Sequence, residues 1–318
     1  MKNIGLIGTG RHGSRYANHI VNDIDGLSLA GISRRSELGI EQAAHWGTHY
    51  FSDWRELAAS SGVDAVIAVV PPSLNLEIAR HCAQADKPLF LEKPLARNSR
   101  EAAEIISIMA AAGCPLTVGQ TLRYNPVIRQ MQQQLPQLGT LHSVAVNQRL
   151  EPSTLDWHDD PEAAGAGVII HTAVHIFDAL KVVTGLRIKR VMAALRFVHS
   201  QHLEDLVTVL FELENGVLGT MDVSKVGNAR SGRYELICQD GQLHADQIHG
   251  FTTIIKNSSV VSHEELPPIP TILPLLKDWA AFLETGKNNP VTGEDGAYAV
   301  RVCEACLVSA AERQWVEV

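Results

Sequence analysis

The chain has 318 residues, which is long enough for two domains with separate hydrophobic cores. Its composition is 45% hydrophobic and 19% charged, as in ordinary globular proteins. The net charge of -8, with no compensating basic block, argues against a nucleic-acid partner. No apolar run approaches the roughly 18 residues of a membrane span, and Met1–Asn3 leads directly into a strand-like run. We therefore expect a cytoplasmic protein with no membrane partner.

The five cysteines are scattered and odd in number, so we expect no disulfide framework. Cys303 and Cys306 form a C-x-x-C pair, a spacing that zinc sites and redox sites share. The pair lies in a helix-like run over residues 296–313, and no second such pair accompanies it. We interpret both as buried residues of a helix.

A glycine-rich segment follows the first strand-like run, Asn3–Ile7, and precedes a helix-like run, Ser14–Val21. It consists of Gly8, Thr9, Gly10, Arg11, His12 and Gly13. This is G-x-G-x-x-G between a strand and a helix, where the glycines permit a tight turn, a close approach to a pyrophosphate and close helix packing. The helix N-terminus adds amides and the positive end of its dipole. The segment predicts a dinucleotide site, although an ordinary glycine turn would share the pattern.

The second predicted strand, Leu27–Ile32, ends where an NAD-binding chain places an acid for the ribose hydroxyls. Here the residues are Ser33, Arg34 and Arg35. A serine and an arginine can bind a 2′-phosphate, which an acid would repel. The segment therefore favours NADP over NAD, unless the arginines are only solvated loop charges.

Strands continue to alternate with helices up to about residue 119. We predict helices over residues 39–46, 53–60, 76–85 and 100–112, and strands over 65–70, 88–91 and 116–119. Such alternation predicts a parallel sheet with right-handed crossovers. The loop after the strand at 65–70 would cover the cofactor with Val70, Pro71, Pro72 and Asn75.

The strand at 88–91 ends in Glu92, Lys93 and Pro94. Ligands of open α/β sheets bind at the carboxyl ends of the strands. Lys93 would therefore meet a cofactor on one side and a substrate oxygen on the other, although a strand-end lysine can also be a plain surface charge.

From about residue 121 the pattern changes to long alternating runs. We predict strands over residues 141–150, 188–197, 205–213, 217–224 and 233–238, and helices over 127–135, 272–285 and 296–314. Asn215-Gly216 is a hairpin signal, and Gln239–Gly241 is a second turn. These runs indicate a largely antiparallel sheet.

His171, His175 and Asp178 form a second polar cluster in a helix-like run. Residues four apart share a helix face, so the two histidines should point the same way. His175 is the better acid/base candidate because histidine titrates near neutral pH. The H-x-x-x-H spacing could also hold zinc with Asp178 or His158 as a third ligand, but we expect no metal. A structural role for His171 fits the pattern equally well.

Four further residues are candidates for lining a pocket that takes a polar, oxygen-rich ligand: Arg123, Asn125, Trp157 and His158. Trp157 would fit a hydrophobic core equally well. Arg123 would fit an ion pair.

The glycine segment, the Val70–Pro72 loop and the Glu92–Pro94 motif together resemble the Gfo/Idh/MocA oxidoreductases. Asp86–Pro88 resembles the family's usual Gly-Lys-His segment, and Thr292–Gly296 with the following helix resembles its C-terminus. The resemblance covers nearly the whole chain. It implies an α/β Rossmann domain over residues 1–121 that binds NAD or NADP. An α+β domain with a large, mostly antiparallel sheet would follow over residues 122–318 and form homodimers or homotetramers through the open sheet face.

The resemblance also implies an activity on sugars, inositols and related polyols. The family's Asp-x-x-x-His-x-x-Asp motif matches His175 and Asp178, whereas this chain has His171 at the first Asp position. His175 would take the proton of a substrate hydroxyl, and Lys93 would hydrogen-bond the same oxygen. Glu92 would join Lys93 at the cofactor, and His171 and Asp178 would contact the substrate or orient His175. A non-catalytic dinucleotide sensor that binds partner proteins is the alternative.

Overall fold

The structure is a computed structural model that describes the backbone of residues 1–318 and every side chain except that of Asp156. The chain forms two compact units. The first contains Met1–Thr121 and Pro270–Ala297, and the second contains Leu122–Ile269 and Tyr298–Val318.

The first unit alternates strands and helices. Its strands are β1 (Lys2–Ile7), β2 (Leu27–Ser33), β3 (His49–Phe51), β4 (Ala65–Ala68), β5 (Leu89–Glu92) and β6 (Leu116–Gly119). Its helices are α1 (Gly13–Asn22), α2 (Leu38–Trp46), α3 (Trp54–Ala59), α4 (Asn75–Gln84) and α5 (Ser99–Ala111). The strands pair in parallel in the order β3-β2-β1-β4-β5-β6. This is the order of a dinucleotide-binding Rossmann sheet, and it confirms the predicted α/β class.

The central strands are buried on both faces, as parallel strands covered by helices must be. All four residues of β4 and of β5 are buried. The predicted strand at 65–70 is two residues too long, because the chain leaves the sheet after Ala68 and turns into a short 3₁₀ helix at Pro72–Leu74. The short strand β3 was missed altogether, since three residues are too few to show a period.

Residues 270–297 correct the predicted extent of the second domain, because they pack with the first unit. Helix α9 (Ile272–Thr285) buries Trp279, whose ring meets Phe90 of β5 edge-on with centroids 5.4 Å apart. Thr117 of β6 donates a hydrogen bond to Asn289 Oδ1 at 2.8 Å and forms an antiparallel bridge with Thr292. The first segment of this unit ends at Thr121, and the second unit begins at Leu122.

The second unit contains a large mixed sheet. Its strands are β7 (Leu141–Arg149), β8 (Ile188–Arg196), β9 (Leu206–Leu213), β10 (Leu218–Ser224), β11 (Ser231–Cys238), β12 (Gly241–Asp246), β13 (Phe251–Lys256), β14 (Ser259–Glu265) and β15 (Val316–Glu317). They pair in the order β14-β13-β12-β11-β7-β10-β9-β8-β15. In the part of the chain that the structure describes, every pair in this sheet is antiparallel except β7 with β10. The predicted α+β class with a mostly antiparallel sheet is confirmed.

Both predicted turns join paired strands. The Asn215-Gly216 turn connects β9 to β10, and Gln239–Gly241 connects β11 to β12. Gly216 has a φ of 86°, which explains the glycine at this position. Strands β12 to β15 were not predicted, and Asn257, with a φ of 53° between β13 and β14, was the available hairpin signal.

The helices of the second unit include an irregular central stretch. They are α6 (Pro126–Gln134), α7 (Pro161–Ala164), α8 (Val174–Thr184) and α10 (Gly293–Glu312), the last of which begins in the first unit. A π-helical segment, Ile169–Ala173, leads directly into α8. By length and composition Pro161–Thr184 could cross a membrane, which the sequence analysis had excluded, but 83% of its most apolar window is buried inside the protein. This segment is therefore buried in the same way as a helix of the protein core.

The C-x-x-C pair lies within α10, and both thiols are free and buried. Cys303 Sγ donates to the carbonyl of Ile169 at 3.2 Å. Burial raises the pKa of both thiols above the ordinary value, so neither is prone to form a thiolate.

Candidate functional site

The glycine segment forms a turn whose shape requires glycine at two positions. Gly8 has a φ of 88°, and a Cβ there would collide with the carbonyl of Val69. A Cβ on Gly13 would collide with the carbonyl of Gly8. Gly10 is different, because a Cβ there would meet nothing within 4 Å. The exposed backbone at Gly10 is thus accessible to a ligand.

At the start of α1 the amides of Ser14 and Arg15 donate to the backbone carbonyls of Gly10 at 2.9 Å and His12 at 3.0 Å. His12 occupies the N-cap position, and among the described residues no side chain caps the helix there. Thr9 is fully buried and donates to Gln42 Oε1 at 2.6 Å, so its side chain supports the loop from within. Arg11 is exposed. Open glycine backbone followed by an uncapped helix start fits the pyrophosphate of a dinucleotide.

The end of β2 places Arg34 against the glycine segment. Arg34 Nη1 donates to the carbonyl of Thr9 at 2.8 Å and to Gln42 Oε1 at 3.1 Å, and Nε donates to Ser36 Oγ at 2.8 Å. Ser33 is buried, and its carbonyl accepts a hydrogen bond from the amide of Gly8 at 2.8 Å. Arg35 is exposed. Hydrogen bonds therefore hold Arg34 beside the glycine segment, whereas Arg35 lies in solvent.

The loop after β4 is tied to the loop after β5 by a buried asparagine. Asn75 Nδ2 donates to the carbonyls of Pro94 at 3.2 Å and Leu95 at 3.1 Å. Val70 and Pro71 are partly exposed beside the buried Pro72. Asn75 thus holds two strand-end loops together, and its predicted contact with the cofactor stays a prediction.

Glu92 is the buried centre of a hydrogen-bond cluster at the end of β5. His12 Nε2 donates to its Oε1 at 2.9 Å, the hydroxyl of Tyr16 donates to the same oxygen, and the amide of Lys93 donates to Oε2 at 2.9 Å. A Cβ on Gly119 would press on this carboxylate, so glycine there leaves it room. Tyr16 was not among the predicted site residues, although it lies four residues after His12 on one helix face.

The charge of this cluster is set by competing effects. Burial raises the pKa of Glu92, but the hydrogen bonds from His12 and Tyr16 and the charge of Lys93 outweigh it, and the net pKa is lowered. Burial lowers the pKa of Lys93, and the Glu92 carboxylate opposes that shift. Glu92 is therefore an anion near neutral pH, beside a lysine that releases its proton more readily than an exposed one.

In the second unit, His171 and His175 lie on two kinds of helix. His171 is buried within the π-helical segment, and His175 is half-buried in the first turn of α8. The expectation of one regular helix is therefore wrong, since the π turn changes the angle between the two positions. Such π segments occur frequently at functional sites.

Glu204 fixes the start of this segment. Its Oε1 accepts a hydrogen bond from the amide of Ile169 at 3.0 Å, and its carbonyl accepts one from Val168 at 2.8 Å. A Cβ on Gly167 would collide with that carbonyl. Burial raises the pKa of Glu204, partly offset by its backbone hydrogen bonds. Glu204 was not among the predicted site residues, because it is 35 residues from its partner Ile169 in the sequence.

Three predicted substrate residues form one aromatic cluster. The rings of His158 and His171 are stacked with centroids 4.7 Å apart and an interplanar angle of 12°. Trp157 meets His158 at 4.1 Å and His171 at 5.3 Å, edge-on in both cases. Ser153 Oγ lies 2.7 Å from His158 Nδ1. The cluster combines an apolar ring surface with imidazole groups.

Arg123 and Asp178 form a two-pronged ion pair within the second unit. Arg123 Nε donates to Oδ2 at 2.7 Å and Nη2 donates to Oδ1 at 2.6 Å. Asp178 is fully buried, and the Arg123 side chain is 15% exposed. This is the ion pair that the sequence analysis kept as an alternative for Arg123, and direct substrate contacts of either residue stay predictions.

Because this pair is buried, we expect Arg123→Met to lower the free energy of unfolding by about 3 kcal/mol, since it leaves a buried carboxylate without its guanidinium. Urea denaturation measures the change. The control is Arg190→Met, which removes a more exposed partner of Glu212 and should cost at most about 1 kcal/mol. Equal small losses in both variants would contradict the assigned importance of the Arg123 pair.

Asn125 caps helix α6. Its Oδ1 accepts a hydrogen bond from the amide of Val127 at 2.9 Å, and its Nδ2 donates to the carbonyl of Gln247 at 3.0 Å. Such caps typically stabilise a helix by about 1 kcal/mol. The predicted contact of Asn125 with a substrate stays a prediction. Among the described residues, no group of three potential ligands could hold a metal ion.

The strand order, the open glycine turn and the Glu92 cluster define a dinucleotide-binding protein of the oxidoreductase class. A family model described as "Oxidoreductase family, NAD-binding Rossmann fold" matches residues 2–120, and the "GFO/IDH/MocA C-terminal domain" matches residues 132–244. The chain belongs to the Gfo/Idh/MocA family of oxidoreductases.

Individual relatives match over nearly the whole chain. Inositol 2-dehydrogenase 2 of Saccharopolyspora erythraea is 28% identical over 97% of this chain and 93% of its own. Myo-inositol 2-dehydrogenase of Thermotoga maritima is 24% identical over 99% of this chain and 98% of its own. An oxidoreductase domain protein from Kribbella flavida has the same fold, with a TM-score of 0.89, 23% identity and complete coverage of both chains.

Proposed function

We propose that this protein is an NAD(P)-dependent oxidoreductase that transfers a hydride between nicotinamide and the carbinol carbon of a sugar, an inositol or a related polyol. The observation that carries the proposal is the ordered Glu92 cluster, which puts Lys93 at the carboxyl end of a Rossmann strand. Family membership and the two inositol dehydrogenases among the relatives support the same chemistry.

The first unit would bind the dinucleotide through Gly8–Gly13 and the start of α1. The bound nicotinamide supplies the acceptor or donor of the hydride. Lys93 would donate a hydrogen bond from its ammonium group to the carbinol oxygen and stabilise the negative charge that develops there. Glu92, held by His12 and Tyr16, would keep that ammonium charged and fix the backbone that carries it.

His175 would accept the hydroxyl proton during oxidation and return it during reduction. Asp178 or His171 would orient its imidazole. Where the resemblance leads us to expect an aspartate, His171 brings an imidazole that stacks on His158. We propose that this cluster, together with Trp157, contacts the substrate ring.

For the cofactor we propose a preference for NADP. The residues at the end of β2, Ser33, Arg34 and Arg35, include no acid, and Arg34 is already ordered by Thr9 and Gln42. Within the described residues its Nη2 group makes no hydrogen bond that would compete with a phosphate. A guanidinium fork binds phosphate through two parallel hydrogen bonds.

We therefore expect Arg34→Ala to weaken NADPH binding about tenfold or more, because a charge-assisted hydrogen bond contributes about 1.5–3 kcal/mol. The affinity for NADH should change less than threefold, which corresponds to about 0.6 kcal/mol of binding free energy. Fluorescence titration of both reduced dinucleotides measures the two affinities, with Arg35→Ala as the matched control. Equal losses for NADH and NADPH would contradict a role for Arg34 at the 2′-phosphate.

We also propose a cytoplasmic homodimer or homotetramer. Met192 pairs directly with Leu210, and strand register places Leu218 and Ile237 on the same face of the sheet. All four are at least 36% exposed. They lie on four of five neighbouring strands, because β7, between β10 and β11, places Ser143 opposite both Leu218 and Ile237. Exposed apolar side chains on one sheet face favour burial against another sheet.

The test of the proposed function is a screen of the purified protein by near-ultraviolet absorbance of reduced nicotinamide. It would offer inositols, aldoses, ketoses and sugar acids with NAD(H) and NADP(H), in both directions. Turnover of a polyol or sugar supports the proposal. Dinucleotide binding without turnover of any of these compounds would favour the alternative of a non-catalytic sensor.

A further inference from the structure

Gln120 lies at the same edge of the first unit's sheet as Lys93. Strands β5 and β6 pair in parallel with Glu92 opposite Gly119. Lys93 is the next residue after Glu92, and Gln120 is the next residue after Gly119. The two residues therefore leave adjacent strands at the same level, at the carboxyl ends where Rossmann sheets bind their ligands. Nothing in the sequence pattern marks Gln120.

The side chain of Gln120 is buried without hydrogen bonds. The residue is 1% exposed, and neither Oε1 nor Nε2 has a hydrogen-bond partner among the residues that the structure describes. Thr117 on the same strand shows the usual arrangement, because it is fully buried and donates to Asn289 Oδ1 at 2.8 Å. Most buried side-chain polar groups in native proteins have hydrogen-bond partners. A buried amide in which neither polar atom has a partner therefore requires an explanation.

We propose that Gln120 binds the carboxamide of the nicotinamide ring by an amide-to-amide pair of hydrogen bonds. The inference rests on the proposed function, because it requires a nicotinamide dinucleotide in this unit. Gln120 offers one donor group and one acceptor, and a primary carboxamide offers the complementary acceptor and donor. A single pair would satisfy both orphan atoms at once. It would also fix the rotation of the ring relative to Lys93.

The main competing occupant is an ordered water, which could bridge Gln120 to nearby backbone. A second competitor is a substrate hydroxyl, which also donates and accepts. Either alternative leads to a different experimental result from that expected for a carboxamide. A water or a substrate would leave the affinity for the nicotinamide half of the cofactor unchanged when Gln120 is replaced.

The experiment compares wild-type protein with Gln120→Met, which keeps the length of the side chain and removes its polar atoms. Calorimetric titration measures the affinities for two pairs of ligands. The first pair is NADH and ADP-ribose, which lacks nicotinamide. The second pair is NADPH and the 2′-phosphate of ADP-ribose. We expect Kd for the complete dinucleotide to rise about tenfold. The affinity for the ADP-ribose compounds should stay within about twofold. The melting temperature of the unliganded variant should not fall, because an apolar replacement relieves an unsatisfied amide.

Two comparisons make the result specific. Thr117→Val removes a buried polar group that has a partner, so it should lower the melting temperature and leave both affinities unchanged. Wild-type protein should bind NADH more tightly than its 3-acetylpyridine analogue, which lacks the amine donor, and Gln120→Met should lose that preference. The analogue comparison on wild-type protein needs no variant to fold.

Unchanged affinity of Gln120→Met for the complete dinucleotide would overturn the inference, as would equal losses for NADH and ADP-ribose. A wild-type protein indifferent to the acetylpyridine analogue would also overturn it. Absence of any dinucleotide binding by the wild-type protein would instead refute the proposed function itself.

Discussion

Replacing Lys93 with methionine should lower turnover by about 10²–10³-fold, the usual cost of removing one donor that stabilises a developing negative charge. Methionine keeps most of the length and the apolar contacts of lysine but cannot donate a hydrogen bond. Lys93 follows a fully buried strand and belongs to the Glu92 cluster, so its backbone should stay in place. The affinity for dinucleotide should therefore change only a few-fold, and steady-state kinetics with binding titrations measure both quantities.

The matched control for this variant is Lys87→Met. Lys87 is buried before β5, and its ammonium donates to the carbonyls of Ser60 and Val63. Its loss should lower stability and leave kcat per folded molecule nearly unchanged. If Lys93→Met turned over at the wild-type rate, the result would contradict a catalytic role for Lys93. Equal losses of kcat in the two lysine variants would contradict it as well.

The pH dependence of turnover provides an independent test of the Lys93 assignment. Burial holds the pKa of Lys93 below its ordinary value, against the opposing effect of Glu92. Activity that needs the ammonium form is complete below that pKa and falls as pH rises through it. Glu92→Gln removes the opposing negative charge, so the alkaline decline should move to lower pH. A decline at unchanged or higher pH would contradict the coupling.

Replacing His175 with asparagine should lower turnover by about 10²–10⁴-fold, the range over which a positioned general acid or base contributes. In the oxidative direction the wild-type rate should rise with pH, because only a deprotonated base can accept the hydroxyl proton. The variant should lose this acidic limb, while its affinity for dinucleotide stays within a few-fold. Rates of oxidation measured across a pH series would show both effects.

The control compares His175→Asn with His171→Asn and His171→Asp. If His171 only orients His175 or contacts the substrate, its replacement should change KM or shift the pH profile. The fall in rate on the acidic side of the profile should remain. Restoring an aspartate at residue 171 tests the consequence of this chain's departure from the family motif. Loss of the acidic limb in His171→Asn, and its survival in His175→Asn, would assign the base to His171 instead.

Local signals in the sequence were sufficient for most of the first unit. The glycine segment, the buried strand β4 and the Glu92–Lys93 motif depend on neighbours within a few residues. The structure has a tight turn at Gly8 and a strand that ends at Glu92, whereas β4 is two residues shorter than the strand predicted at 65–70. The Asn215-Gly216 hairpin succeeded for the same reason. Such features are encoded by turn chemistry and hydrophobic period alone.

The unpredicted features depend on partners that are distant in sequence. The π turn that carries His171 begins where Glu204 receives the amide of Ile169, and no local pattern announces that contact. Residues 270–297 return to the first unit because Trp279 packs on Phe90. Amphipathic periodicity shows that a helix has an apolar face, but it does not show which core covers that face.

Site residues were predicted as chemical types, whereas their partners had to come from the structure. Arg123 and Asp178 were both chosen for a substrate pocket, yet they bind each other through two hydrogen bonds. Asn125 was chosen for the same pocket and caps a helix. Gln120 attracted no attention in the sequence, and only the absence of partners for its described atoms marks it.

The most direct test of the account is a deuterium-transfer measurement on wild-type protein. The best substrate from the absorbance screen would carry deuterium on the carbon that bears the reacting hydroxyl, and nuclear magnetic resonance would follow the label. The account predicts that deuterium moves from this carbon to C4 of the nicotinamide, without exchange into water. Deuterium found in the solvent, or retained on an unchanged carbon while product forms, would contradict hydride transfer and with it the proposed function.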